Sequence, residues 1–336
     1  MPTTPAAKPT ALRRRTALAA LAGLGAAAII RPAHAVDAVT LRLNWILSGI
    51  FSLFYYGKDM GFFRDEGIEL TIGEGQGSGR TVQSVAAGSD TFGLADGGSI
   101  ILGGSKGAAI KAVMGVMNES PFVISMRADS GAKTVKDLVG KTIAVTPGEA
   151  GLPLLQAIWA ANGIAPDSVH LLNVDGAAKL VAVLDKRVDG LIGGLDSQVV
   201  ILNHKGLQQV VLLYADMGVN TQGVSLFTTN ALLQKNPDLV RRFVRASVRS
   251  MQAAEQHPDA IVDAGLRVKP EEDRSMFVDQ LKAGSRLFYA PGNAKRQLGF
   301  MMPADWERTL DLMKRHQDLV TAMPASDFFT DSFLPA

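Results

Sequence analysis

The 336-residue chain has no cysteine. Disulfide frameworks, thiolate metal sites and cysteine nucleophiles are therefore excluded. Histidine is scarce, with His34, His170, His204, His257 and His316, and no two of these have metal-ligand spacing such as H-x-x-x-H. We read no nucleophile elbow and no clustered catalytic set, so an enzyme is not expected, and neither a metal nor another cofactor. No apolar run is long enough to span a bilayer, which takes ~20 residues. An excess of one charge is also missing. The formal net charge is +2, but residues 1–35 carry Lys8, Arg13, Arg14, Arg15 and Arg31 and no acid. Without those five, 29 basic residues face 32 acidic ones, a net of −3. No basic face for nucleic acid is implied.

What is present begins with a leader. Arg13-Arg14-Arg15 forms a positive segment, Thr16 to Ile30 a weakly apolar one, and Ala33-His34-Ala35 a small-x-small cleavage site. Residues 1–35 are therefore expected to be a signal peptide. Its paired arginines suggest the twin-arginine route, although the Phe-Leu usual after such a pair is missing. The general secretion route is the alternative. A periplasmic location follows as an expectation.

Beyond the leader the hydrophobic period alternates between strand and helix. "VTLRLNW" reads as a strand, "SLFYYGKDMGFFRDEG" as a helix closed by Gly67, and "IELTIGEG" as a strand. A second such unit starts after "ADSGAKTVKDLVGK", with the strand "KTIAVTPG" and the helix "GLPLLQAIWAANG". From Asn236 the pattern is helical. Asn236 reads as an N-cap, Pro237 as the first helical residue, and Leu239, Val240, Phe243, Val244, Ser247, Val248 and Met251 as one apolar face. This α/β pattern predicts two units, each a mostly parallel sheet flanked by helices. The expected division is 36–126 with 222–336 for lobe 1 and 127–221 for lobe 2. The helical tail is expected to pack back on lobe 1.

Several stretches carry a family resemblance. "LNW", "FYYGKDMGFFRDEGIEL", "GSGRTVQSVAAGSDTFGLADGG", "KTVKDLVGKTIAVTPGEAG", "VLDKRVDGLIGG", "YADMGVNTQG" and the closing "LGFMMPADWERTLDLM" occur in the order seen in type II periplasmic solute-binding proteins of ABC importers. The branch they resemble handles thiamine pyrimidine precursors, riboflavin-like compounds, nitrate, sulfonates and taurine. The resemblance implies a two-lobed periplasmic-binding-protein-like fold with a ligand cleft between the lobes. It also implies a hinge that closes on a small-molecule solute and an ABC permease in the cytoplasmic membrane as partner. A monomer is expected. A fungal pyrimidine-forming enzyme of similar fold needs a site histidine and nearby cysteines, which this chain does not offer.

Ligands of open α/β sheets sit beyond the C-terminal ends of the strands. The expected ligand-binding residues are therefore Asn44, Trp45, Ser48 and Gly49, then Gly77 and Ser78, then Asp96 and Gly97. In lobe 2 they are Thr146, Gly148, Glu149, Asp196, Ser197, Tyr214 and Asp216. Trp45 offers a ring face and an indole N–H, or packs under its own helix. Gly49, Gly77 and Gly97 permit close backbone approach, or serve ordinary turns. "GEGQGSG" departs from a G-x-G-x-x-G fingerprint because Arg80 stands where the third glycine belongs. The N–H groups of Ser78 and Gly79 are instead expected to meet a small polar ligand. The tips are rich in acids, and Arg80 is the only base close to one. Carboxylates accept from ring N–H, amino or ammonium groups, whereas an anion site wants an arginine fork or aimed donors. A nitrogenous ring, such as an aminopyrimidine, is the reading these residues favour. A small anion is one alternative, and an exported sensor or scaffold with no uptake role is another. Glu149 also reads as a helix cap.

Overall fold

The computed structural model describes residues 1–4, 36–290, 292–293 and 297–335. The arginines, apolar run and cleavage site of the expected signal peptide lie outside the described residues.

The first sheet is laid down as the chain alternates between strand and helix. The elements are β1 (Asp37–Arg42), α1 (Ser52–Asp59), α2 (Phe62–Asp65), β2 (Ile68–Gly73), α3 (Ser78–Ala86), β3 (Phe92–Asp96), α4 (Gly97–Ser105) and β4 (Ile110–Gly115). The second sheet follows with β5 (Phe122–Arg127), β6 (Thr142–Val145), α5 (Gly151–Asn162), β7 (His170–Asn173), α6 (Gly176–Leu184), β8 (Gly190–Gly194), α7 (Gln198–His204) and β9 (Gln209–Leu213). The chain returns to the first sheet as β10 (Val224–Thr229). It ends in α8 (Asn230–Lys235), α9 (Pro237–Gln256), α10 (Pro258–Val268), α11 (Arg274–Ser285) and α12 (Pro303–His316).

The two sheets repeat one topology. Their strand orders are β2-β1-β3-β10-β4 and β7-β6-β8-β5-β9. In each, four strands run one way and one is reversed: β10 is antiparallel to β3 and β4, and β5 to β8 and β9. The reversed strand is in each case the first one entered after the chain crosses between sheets. This corrects one expected boundary. Phe122–Arg127 belongs to the second sheet, so the outward crossing lies at 116–121 and not at 126. No helix separates β4 from β5, so the hydrophobic pattern runs on without a mark where the chain leaves the first sheet. The return crossing, 214–223, lies beside the outward one, and Glu119 and Gln222 form an antiparallel bridge.

The tail explains where much of the core comes from. Asn236 Oδ1 accepts from the Leu239 N–H at 3.1 Å, and Pro237 sits in the first turn of α9. These features cap the helix and pre-set its backbone. Its apolar face buries Val240, Phe243, Val244 and Met251 against the first sheet, and Phe243 stacks on Phe92 with ring centroids 4.1 Å apart. Burial of one such side chain contributes about 1.5–3 kcal/mol. The tail does not stay on the first sheet alone, as the sequence reading expected. Leu312 of α12 packs into the core of the second sheet. Asp279 of α11 accepts from or pairs with His204 Nε2 of α7 at 2.9 Å. Helix α12 also grips the return crossing, because Thr309 Oγ1 accepts from Gln222 N at 2.7 Å and Arg308 Nε donates to Asn220 O at 2.9 Å. Among the described residues no helix is long and apolar enough to cross a membrane.

Candidate ligand-binding cleft

The forward strands of both sheets end at one shared cleft, and both reversed strands begin there. The cavity at its centre is about 70 Å³. A single water needs ~10–15 Å³ on this scale, so the space suits a few waters or a small ring. Of the expected residues, Asn44, Trp45, Gly77, Ser78, Glu149, Asp196 and Ser197 line it.

Asp196 follows β8 and is 4% exposed. Gly194 makes room for it, since a Cβ there would stand 2.7 Å from Asp196 Oδ1. No cation pairs with this carboxylate among the described residues. Burial pushes its pKa from the ordinary 3.8 up to about 6, and a bond to its own backbone offsets only part of that. Gln198, beside it and buried, turns its carbonyl oxygen inward on the loop: Oε1 accepts from Gly194 N at 2.8 Å and from Ser197 Oγ at 2.6 Å. The Gln198 amide nitrogen is left without a partner among the described residues. Apolar walls come from Trp45, Phe51 and Phe122.

Glu149 reaches the cleft but is already engaged. Its Oε2 accepts from Lys179 Nζ at 2.5 Å and its Oε1 from Thr146 N at 2.5 Å. Lys179 is fully buried and also donates to Ile192 O at 2.9 Å. Burial pushes the Glu149 carboxyl up and the Lys179 ammonium down, and their attraction offsets part of each. Glu149 does not cap α5, because Ala150 holds the cap position without a side-chain bond. Lys179 is a base beside a tip acid that strand-end reasoning does not find, since it points to Arg80 alone. The signal was a lone lysine sharing one helical face with the buried Ala182 and Val183.

Trp45 spans the two halves. Its ring lies so close over Gly176 that a Cβ there would approach within 2.7 Å, and Lys179 Nζ is 5.5 Å from the ring centroid. That separation is within cation–π range. The halves also touch through backbone, since Gly79 N donates to Gly148 O at 3.2 Å. The Gly79 N–H expected for a ligand is therefore used in this contact. Gly77, at φ +110°, would place a Cβ 2.5 Å from the same Gly148 oxygen. Glycine is required there both for its backbone and for the approach of the other half.

The remaining expected residues do not line the central cavity. Asp96 caps α4, with Oδ1 accepting from Ser99 N at 3.1 Å, and its full burial raises its pKa. Gly97 packs on Gln222 of the return crossing. A Cβ on Gly49 would stand 1.9 Å from Phe277 O, and its N–H donates to Gln280 Oε1 at 2.8 Å. That glycine admits α11, not a solute. Ser48 is buried beside a separate cavity of about 440 Å³. Gly148 serves the backbone contact, and Thr146 faces the mouth of the cleft. Tyr214 is sealed under the floor, donating its hydroxyl to Gly151 O at 3.2 Å, and burial holds its pKa well above the ordinary value. Asp216 is exposed on the turn after β9.

Sequence reasoning missed Met117, Pro121, Phe122 and Val224, which line the cleft from the crossings and the starts of the reversed strands. The G-x-S-x-G spacing does occur once, at Gly103-Gly104-Ser105-Lys106-Gly107. It ends α4, so it is not the strand-to-helix turn of a nucleophile elbow. Among the described residues no group of three or more histidine or carboxylate side chains gathers as a metal site.

Known proteins resemble this chain. The chain is 29% identical to the riboflavin-binding protein RibY of Chloroflexus aurantiacus, over 99% of this chain and 92% of the relative. It is 21% identical to the formylaminopyrimidine-binding protein of Halalkalibacterium halodurans, over 88% and 91%. A protein of Legionella pneumophila named 4-amino-5-hydroxymethyl-2-methylpyrimidine phosphate synthase is 23% identical, over 88% and 92%. Among solved structures, the alkanesulfonate-binding protein SsuA of Xanthomonas axonopodis pv. citri superposes with a TM-score of 0.68 at 16% identity, covering 87% of this chain and 98% of that one. The fold is that of the periplasmic binding proteins. Residues 50–261 match the family described as NMT1/THI5 like, and the chain belongs to that family.

Proposed function

We propose that this protein is the extracytoplasmic solute-binding component of an ABC importer and that it captures a small nitrogenous ring compound by closing its two halves. One observation carries the ligand class. Asp196 is a buried carboxylate with no cationic partner among the described residues, set in a cleft walled by Trp45, Phe51 and Phe122. A ring N–H or amino group supplies the donor that the carboxylate lacks. No lysine, arginine or histidine lines this central cavity among the described residues. That composition weighs against a sulfonate or nitrate ion at its centre.

The relatives named for riboflavin and formylaminopyrimidine support the same class. The cleft is read as a binding site and not a catalytic one. Its two carboxylates are Glu149, held by Lys179, and Asp196, whose ionised form suits a hydrogen-bond acceptor. Residues 1–35 act as the export signal, through the twin-arginine route, and a membrane permease receives the loaded, closed form. Residues 36–121 and 222–336 form one lobe and 122–221 the other. Ligand contacts to both lobes exist only when they are shut, so binding shifts the population toward closure.

A thermal-shift panel tests this. Pyrimidines and flavin-type rings should raise the melting temperature. Occupancy at 100 times the dissociation constant stabilises by about 2.7 kcal/mol. A response to sulfonates or nitrate alone, or to nothing in the panel, would refute the proposed ligand class.

A further inference from the structure

Helix α7 flanks the second sheet and α11 belongs to the tail, yet the two meet at the lip of the cleft. His204 Nε2 of α7 lies 2.9 Å from Asp279 Oδ2 of α11. Among the described residues this is the one ion pair that joins the half built on the first sheet to the half built on the second. The imidazole side chain is 24% exposed and the carboxylate side chain 52%, so the pair stays in exchange with solvent protons. We propose that His204 and Asp279 form a proton-tightened clasp, in which acid charges the imidazole and holds the halves shut. The clasp rests on the closing motion proposed above and adds its regulation by pH.

The surroundings of His204 favour its charged form. It is the last residue of α7, where the free carbonyl groups of a helix end attract a cation. Across from it α11 presents Asp279, and Asp273, the N-cap of that helix, lies within electrostatic reach. Glu271 and Glu272, in the turn before α11, border with His204 a cavity of about 440 Å³ between the halves. The opposing charges are Lys205 on the edge of that cavity and Lys282, one turn beyond Asp279 on α11. Arg274 of α11 is taken up by Asp259 and Asp263. Of the other elements against α7, β8 and β9 carry no charged residue, and the one on α6, Lys179, is bound to Glu149. Four carboxylates thus outweigh two ammonium groups around one imidazole.

A neutral imidazole makes an ordinary hydrogen bond to Asp279. An imidazolium makes a charge-assisted one, roughly twice as strong. Neither bond exists once the halves part and His204 faces water. Protonation therefore strengthens a contact found only in the shut form, and by linkage acid shifts the population toward closure. The gain is complete in acid and fades across roughly pH 5 to 8, where imidazole side chains lose their charge. Asp196 titrates at about 6 and is buried in the same cleft, so its contribution has to be removed before the clasp is read.

The chain has no cysteine, so a single pair of dyes can be placed at will. Lys106→Cys and Asp167→Cys are exposed positions, one in each half, beside strand starts remote from the cleft. Energy transfer between them, in the full mature protein carrying Asp196→Asn and no solute, reads the ratio of shut to open molecules. That ratio should rise about three- to fivefold from about pH 8 to about pH 5.5, the range that exposed ion pairs supply. His204→Gln and Asp279→Asn should each remove the response, whereas Lys205→Gln should keep it. All three are surface changes, and an unchanged unfolding midpoint at about pH 8 checks that the fold is intact. A pH response that survives His204→Gln overturns the clasp. So does the absence of a response while a ring solute still raises the transfer in the protein with Asp196 intact. Transfer that moves with neither pH nor solute overturns the closing motion as well.

Discussion

Replacing Asp196 by asparagine should make the ligand-free protein more stable while abolishing capture of its solute. The carboxylate is buried without a cation among the described residues, and burial pushes its pKa to about 6 from the ordinary 3.8. Below both values the folded and unfolded chains are each protonated, and the group has no effect. Between them the unfolded chain has released its proton and the folded one has not, so stability falls as pH rises. Above about 6 the full cost is in place, roughly 3 kcal/mol from the separation of the two pKa values. Asp196→Asn removes that cost at nearly constant shape. Urea unfolding of the empty protein from pH 4 to pH 8 measures it. The variant should match the wild type near pH 4, pull ahead through pH 6, and hold a lead of up to roughly 3 kcal/mol at pH 7.5. Solute affinity of the wild type should fall as pH drops through 6, since protonation removes the acceptor. Equal stability of the two proteins at pH 7.5 would refute the claim that this carboxylate is desolvated and unpaired.

Two further substitutions test the neighbouring contacts. Lys179→Met leaves Glu149 buried without its partner and should destabilise by about 3–5 kcal/mol in urea unfolding, with most of the loss recovered in Lys179→Met/Glu149→Leu. Unchanged stability in the single variant would show the pair to be hydrated or open. Gly77→Ala would set a Cβ 2.5 Å from Gly148 O at a backbone φ of +110°. It should hold the halves apart, raising the radius of gyration in solution scattering with solute present and weakening solute binding at least tenfold. Wild-type scattering from the loaded variant would contradict the assignment of that contact to closure.

The alternation of strands and helices, the caps of α9 and the reach of the strand tips into one cleft were all legible in the sequence, because each follows from local period and local chemistry. Trp45, Gly77 and Asp196 lie where a rule about strand ends puts them. Phe122 and Val224 escaped that rule because they begin strands. Only pairing between distant segments reverses a strand, and periodicity does not record it. Gly49 was read as a place for a solute, yet it admits the backbone of a helix more than 200 residues later in the chain. Asp96 and Glu149 sit at strand ends as expected, but Ser99 N–H engages one oxygen of Asp96 and Lys179 holds Glu149, contacts that the strand-end rule does not record.

The pairing of the two crossings has a consequence for how a guest is sensed. Met117 and Pro121 lie on the outward crossing, and Val224 follows directly on the return one, so under the proposed closure the crossings about which the halves would turn form part of the wall of the cavity. A solute bound as proposed would lean on the axle as well as on the jaws. A bulkier residue at Val224 would thus alter the swing of the halves as well as the size of the guest they admit, tying selectivity and motion to the same few side chains.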